Sequence, residues 1–118
     1  MKDNILKIKS YAFAIKIVKL SQHLQTEKKE FVLSKQILRS GTAIGALIRE
    51  AEYGQSKTDF IHKMTIALKE ANETEYWINI LRDTNFINDK LSVSLVEDCK
   101  ELLRLLIASI KTAKQNNT

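Results

Sequence analysis

The sequence has no proline, three glycines and one cysteine. Folds made of many short strands need proline and glycine at their turns. Their scarcity favours a few long helices. Cys99 has no partner for an internal disulfide, which fits a reducing compartment and an expected cytoplasmic location. Histidine is nearly absent as well: His23 and His62 are the only two. A zinc site needs more His and Cys than this chain has. A di-iron bundle needs Glu-x-x-His on each of two helices, and Asp59 ahead of His62 is one imperfect half of that motif. No uncharged apolar run approaches the roughly 18 residues that span a bilayer. The amino end, "MKDNILKIKSYAFAIKIVKL", breaks its apolar residues with lysines and offers no small-residue cleavage site. No Ser-His-Asp arrangement is legible. The expectation is a protein that is not an enzyme, holds no metal or cofactor and does not enter a membrane.

What is present suits one soluble domain. The chain has 118 residues, 44% of them hydrophobic and 28% charged, enough for a single core. Its net charge of +5 is unevenly placed. Residues 1–49 hold ten Lys/Arg against three Asp/Glu, residues 50–85 four against seven, and residues 86–118 five against four. A basic first half points to a polyanionic partner. The plainer alternative is a solvated, lysine-rich surface.

Apolar residues recur at helical spacing in four segments, expected over residues 3–24, 33–53, 57–83 and 89–114, with 115–118 as a frayed polar tail. Asp3 or Asn4 can cap the first segment and Gly54 can stop the second. Ser56 followed by Asp59 has capping-box spacing at the start of the third. Phe60, Met64, Ala67, Leu68, Ala71, Ile78 and Leu81 form one stripe of the third segment. Leu91, Leu95, Cys99, Leu102, Leu106 and Ile110 form one stripe of the fourth. Short links between long helices make neighbours antiparallel. The expected fold is therefore all-α, an antiparallel up-down-up-down four-helix bundle.

The first helix has more apolar surface than one core needs. Lys2, Lys9, Lys16 and His23 share a strip, with Lys19 and Gln22 beside it, and nearly everything else is apolar. A second subunit best accounts for the surplus; a deeper place in the bundle and a membrane surface are the alternatives. The second segment holds Gly41 and Gly45 in "GTAIG". This is neither a Walker loop nor a dinucleotide fingerprint, because no lysine follows and no strand precedes. Two glycines one turn apart share a helix face, and each costs about 1 kcal/mol against alanine. A tight helix–helix seam, within the bundle or between subunits, would offset that cost. Glu50 and Glu73 lie near apolar stripes, where a carboxylate needs a partner. They are expected in a structural polar network with arginines such as Arg39, Arg49 or Arg82. Trp77 and Tyr76 read as packing residues.

Three stretches, "SYAFAIKIVKL", "QILRSGTAIGALIREAEYGQSKTDFIHKMTIAL" and "EANETEYWINILRDTNFI", together resemble the four-helix-bundle family of proteins encoded in intervening sequences of bacterial 23S ribosomal RNA genes. The accessory variability determinant of diversity-generating retroelements belongs to the same group. Gln36, Ile37 and Arg39 match a Gln-Leu-Arg-Arg element of the family. Ile44, Ala46, Ile48 and Glu50 match its Ser-Ile-Pro-Ala-Asn-Ile-Ala-Glu-Gly element. Ser56, Lys57 and Phe60, and then Glu73 and Glu75, match further on. Gly45, Leu47 and Ala51 depart from it, standing where the family has Pro, Asn and Gly.

The resemblance implies a homopentamer with a basic surface that binds nucleic acid. For retroelement-type members it also implies a reverse transcriptase partner, which makes a protein–protein assembly scaffold the alternative function. The candidate contacts to RNA or DNA are Lys9, Lys16 and Lys19 on the first helix, Lys28 and Lys29 in the connection, and Lys35 and Arg39 on the second helix. Each would act as a point charge toward phosphate, with no device for reading bases.

Overall fold

A computed structural model describes residues 2–116, with side chains from residue 5 onward. Four helices make up the fold: α1 (Lys2–Thr26), α2 (Leu33–Glu52), α3 (Lys57–Asp83) and α4 (Asp89–Gln115). There is no strand among the described residues. The capping expected of Asp3 or Asn4, and the last two residues of the polar tail, lie outside what is described.

The helix starts follow local chemistry. Ser56 Oγ accepts from the Asp59 amide at 3.1 Å and opens α3. Asn88 Oδ1 accepts from the Leu91 amide at 2.8 Å and opens α4. Each satisfies one of the free amides at a helix start. The ends differ from expectation. Gly54 lies just past the end of α2, but no glycine has positive φ. Gly54 sits instead where the chain passes close to itself: a β-carbon there would lie 3.2 Å from both the Ala51 carbonyl oxygen and Asp59 Cβ. The left-handed residues are Lys29 (φ 54°) and Asn85 (φ 67°), which follow α1 and α3.

Cross-helix contacts fix the topology. Lys7, near the start of α1, pairs with Glu52 at the end of α2 at 2.9 Å. At the opposite end, Ser21 Oγ donates to the Ser34 carbonyl at 3.2 Å. Lys63–Glu50 at 2.9 Å and Arg39–Glu70 at 3.2 Å relate α2 and α3 in the same antiparallel sense. Lys100–Glu75 at 3.4 Å joins α4 to α3. Lys9–Glu101 at 3.3 Å and Lys16–Asp98 at 2.7 Å close the ring between α1 and α4. The diagonal pairs α1–α3 and α2–α4 do not approach closely. The bundle measures 52 × 22 × 19 Å, consistent with helices about 40 Å long and a connection at each end.

Each helix buries one stripe. Leu6, Phe13, Ile17, Leu20 and Leu24 come from α1, and Ile37, Ile44, Ile48 and Ala51 from α2. Met64, Ala67, Ala71, Ile78 and Leu81 come from α3, and Leu95, Cys99, Leu102, Leu106 and Ile110 from α4. Three- and four-residue steps put each set on one face. Leu91, expected to begin the α4 stripe, stays exposed beside α1. Buried hydroxyls are satisfied within the bundle. Those of Ser40 and Thr74 meet at 3.0 Å between α2 and α3, and Thr74 also reaches the Glu70 carbonyl at 2.7 Å. No buried side-chain polar atom among the described residues lacks a partner.

Gly41 and Gly45 lie in the seam between α1 and α2. A β-carbon on Gly41 would stand 2.8 Å from two carbons of the fully buried Ile17, whereas one on Gly45 would meet Ser10 Oγ at 3.3 Å. Alanine adds about 1 kcal/mol of helix propensity at either site. At Gly41 the clash with a packed, β-branched side chain costs about 1–3 kcal/mol, more than that gain over most of the range. Gly41→Ala is therefore expected to lower stability in urea unfolding, and Gly45→Ala to cost less. Equal effects at both sites would contradict this packing.

Cys99 is wholly buried, and its thiol donates to the Ala71 carbonyl at 3.0 Å. Burial is the chief cause that pushes this thiol up to about 12. At about pH 8.5, where an ordinary thiol is half ionised, Cys99 should not react with a disulfide reagent until the bundle unfolds. Rapid labelling of the folded protein would rule out this placement.

Candidate nucleic-acid interface

The seven basic candidates divide by what surrounds them. Lys9 and Lys16 bridge to Glu101 and Asp98, and Arg39 reaches Glu70 and Glu73. These three cations are partly neutralised by α3 and α4. Lys19, Lys28, Lys29 and Lys35 are exposed, and no carboxylate partner is recorded for them among the described residues. They gather near one end of the bundle, around the end of α1, the α1–α2 connection and the start of α2.

The connection is built around Glu30. Val32, at the N-cap position of α2, offers no side-chain cap. The Glu30 carboxylate takes that role, accepting from the amides of Val32 (3.2 Å), Leu33 (3.0 Å) and Ser34 (2.7 Å). An anion there also complements the positive end of the α2 dipole. Before it, the Glu30 amide donates to the Leu24 carbonyl at 2.9 Å, which closes the end of α1 through left-handed Lys29. With Glu30 turned onto the backbone, Phe31 and Val32 stand in solvent, 52% and 69% exposed. Lys35 occupies the first turn of α2, which has no acidic residue of its own. At the same end, the α3–α4 connection forms an opening of about 400 Å³ with α1, lined by His23, Lys28, Asn85, Phe86 and Asn88 among others.

Glu73 and Glu50 belong to separate clusters, and neither is buried. Glu73 accepts from Trp77 Nε1 at 3.0 Å and from Arg39. The Trp77 bond, followed by Arg39, holds its carboxyl below the usual carboxylate range. The Glu73 bond is in turn the main cause that raises Arg39. Glu50 pairs at the surface with Lys63 at 2.9 Å. Trp77 packs half-buried against the core, and exposed Tyr76 meets it edge-on with ring centroids 5.1 Å apart. No group of three or more His, Cys, Asp or Glu among the described residues can hold a metal ion. Among the described residues no helix is long and apolar enough to cross a membrane.

On α1 the surplus apolar surface does not go into the bundle. Ile5, Ile8, Tyr11, Ile15 and Val18 all remain exposed, Ile8 at 69% and Tyr11 at 59%. That removes the deeper-core alternative. Phe31 is the residue that sequence reasoning missed. It lies in the connection, ahead of the expected second helix and next to the Glu30 cap.

The comparisons with known proteins agree with this architecture. A protein of unknown function from the S23 ribosomal protein family of Bacteroides thetaiotaomicron VPI-5482, with a crystal structure at 1.70 Å, is 58% identical in sequence. The match covers 94% of this chain and 99% of that one, with a TM-score of 0.93. No curated protein matches. The model of the 23S rRNA-intervening sequence proteins matches residues 2–108, nearly the whole bundle, and the chain belongs to that family.

Proposed function

We propose that this chain is a non-enzymatic, homo-oligomeric bundle that binds RNA or DNA through phosphate contacts. The observation that carries the reading is the gathering of Lys19, Lys28, Lys29 and Lys35 near one end, while Lys9, Lys16 and Arg39 are engaged by acids of the same chain. The phosphate-facing set is thus smaller than the seven expected residues. A lysine without a carboxylate partner is free to replace a counterion on a nucleic-acid backbone.

Self-association is supported by the outer face of α1. Ile8, Tyr11, Ile15 and Val18 follow one another at steps of three, four and three residues, the seam spacing of helices that pack as coiled coils. A second copy is the natural cover for such a seam. Several copies would also multiply a modest charge, so that weak individual contacts add into useful avidity.

Two measurements test the reading. In sedimentation at micromolar protein, the wild type should run as a multiple of the 13.5 kDa chain, five-fold for the ring that the family resemblance implies. Ile15→Lys should return it to single chains while leaving its helix content intact. A well-behaved single-chain wild type would defeat the oligomer. In a salt titration, RNA or DNA affinity should fall steeply, by about 0.7–0.9 in log–log slope per phosphate contacted. Absence of binding in dilute buffer would defeat the nucleic-acid reading and favour the assembly scaffold.

A further inference from the structure

We infer that the α1–α2 connection is a contact site for single-stranded nucleic acid, with Phe31 stacking on a base and Lys28, Lys29 and Lys35 taking the flanking phosphates. This rests on the proposed function and specifies the form of nucleic acid and the residues that recognise it.

Three local exceptions within seven residues carry the inference. Lys29 holds φ 54°, a left-handed conformation in which glycine is at ease and other residues are strained. Lys35 places a cation in the first turn of α2, where the helix dipole disfavours it. Phe31 keeps more than half of its surface in water and is followed by exposed Val32. Each residue is a poor choice for the fold, and together they display positive charge around an aromatic ring. Departures from local preference that share one direction are expected at functional sites. The carboxylate of Glu30, which would weaken such a patch, is turned inward onto the α2 backbone. Glu27 is left as the exposed acid of the connection, facing three exposed lysines in the same stretch.

This chemistry selects a single strand. A duplex hides its base faces in the stack and presents only phosphates, so an exposed phenyl ring adds nothing to duplex binding. A single strand offers each base face for stacking, and lysines beside an aromatic ring are the recurring arrangement for it. An acidic protein would satisfy the lysines but has no particular use for a flat, exposed ring.

The test uses the full chain and three labelled probes in fluorescence anisotropy: oligouridylate, oligothymidylate and a duplex of equal length. Phe31→Ala should weaken single-strand binding about 5- to 150-fold, the range of one base–aromatic stack, and leave duplex binding nearly unchanged. Phe31→Leu, which keeps bulk without a π face, should behave like Phe31→Ala. Phe31→Trp should bind like wild type, and its added fluorescence should be quenched by the strand. Lys29→Gly should raise Tm by relieving the left-handed strain, yet lower single-strand affinity and flatten the salt slope by about 0.7. A purely structural role for Lys29 cannot raise one and lower the other. An unchanged ratio of single-strand to duplex affinity in Phe31→Ala would overturn this inference and leave the proposed function standing. Wild-type protein that binds none of the probes would overturn both. Preference for polyglutamate over every oligonucleotide would overturn it in favour of an acidic protein partner.

Discussion

Ile17 lies against Gly41 with no room for a β-carbon between them, and the orientation of α1 depends on that contact. Gly41 lets the backbone of α2 come close on one side of α1. On the other side Lys9 and Lys16 are tied to Glu101 and Asp98 of α4. Between these restraints α1 is turned so that Leu6, Phe13, Ile17, Leu20 and Leu24 face inward. A rotation that buried Ile8 and Ile15 would lift Ile17 out of its seat and break both ion pairs. Core packing is dense and does not deform gradually. The outward apolar seam is therefore a fixed consequence of how α1 meets α2.

The helical architecture was legible because its signals are local. Three- and four-residue steps of apolar residues, the Ser56 cap and the shortness of the links all act within a few residues. The details that shape the candidate site depend on tertiary context. Lys9 and Lys16 carry the same charge as Lys19 in the sequence, but their partners on α4 are separated from them by most of the chain. No local pattern reveals which lysines are neutralised. Phe31 and Val32 stand in solvent while Leu33 packs partly against the core, and beside them the cap of α2 is made by Glu30, a residue that reads as part of a charged linker. Gly54 follows α2 without being left-handed. The chain passes close to itself there, and Lys29 and Asn85 take the left-handed positions.

The same ion pairs concentrate the basic character of the chain. Residues 50–85 carry more acid than base, and the packing sets Glu52, Glu70 and Glu73, with Asp98 and Glu101, against cations of α1 and the middle of α2. Along the length of the bundle charges meet charges. Exposed pairs of this kind contribute little to stability, about 0–1 kcal/mol each. Their larger consequence is to engage Lys9, Lys16 and Arg39 along the sides, whereas Lys28, Lys29 and Lys35 near the end have no such partners among the described residues.

This division of charge connects the two surfaces. In the proposed oligomer, copies joined along the outer face of α1 and related by an axis parallel to the bundles would bring every α1–α2 connection to the same rim. A single connection would offer a few phosphate contacts and one stacking ring, which is a weak site. A rim of identical sites raises the effective concentration of each for a strand already held by its neighbour. In that proposal the apolar seam of α1 would set the number and spacing of the sites, and the Glu30-capped connection what each can hold. Neither surface has an evident use in an isolated chain: the seam would be exposed hydrocarbon, and the tip would be strained backbone without a ligand.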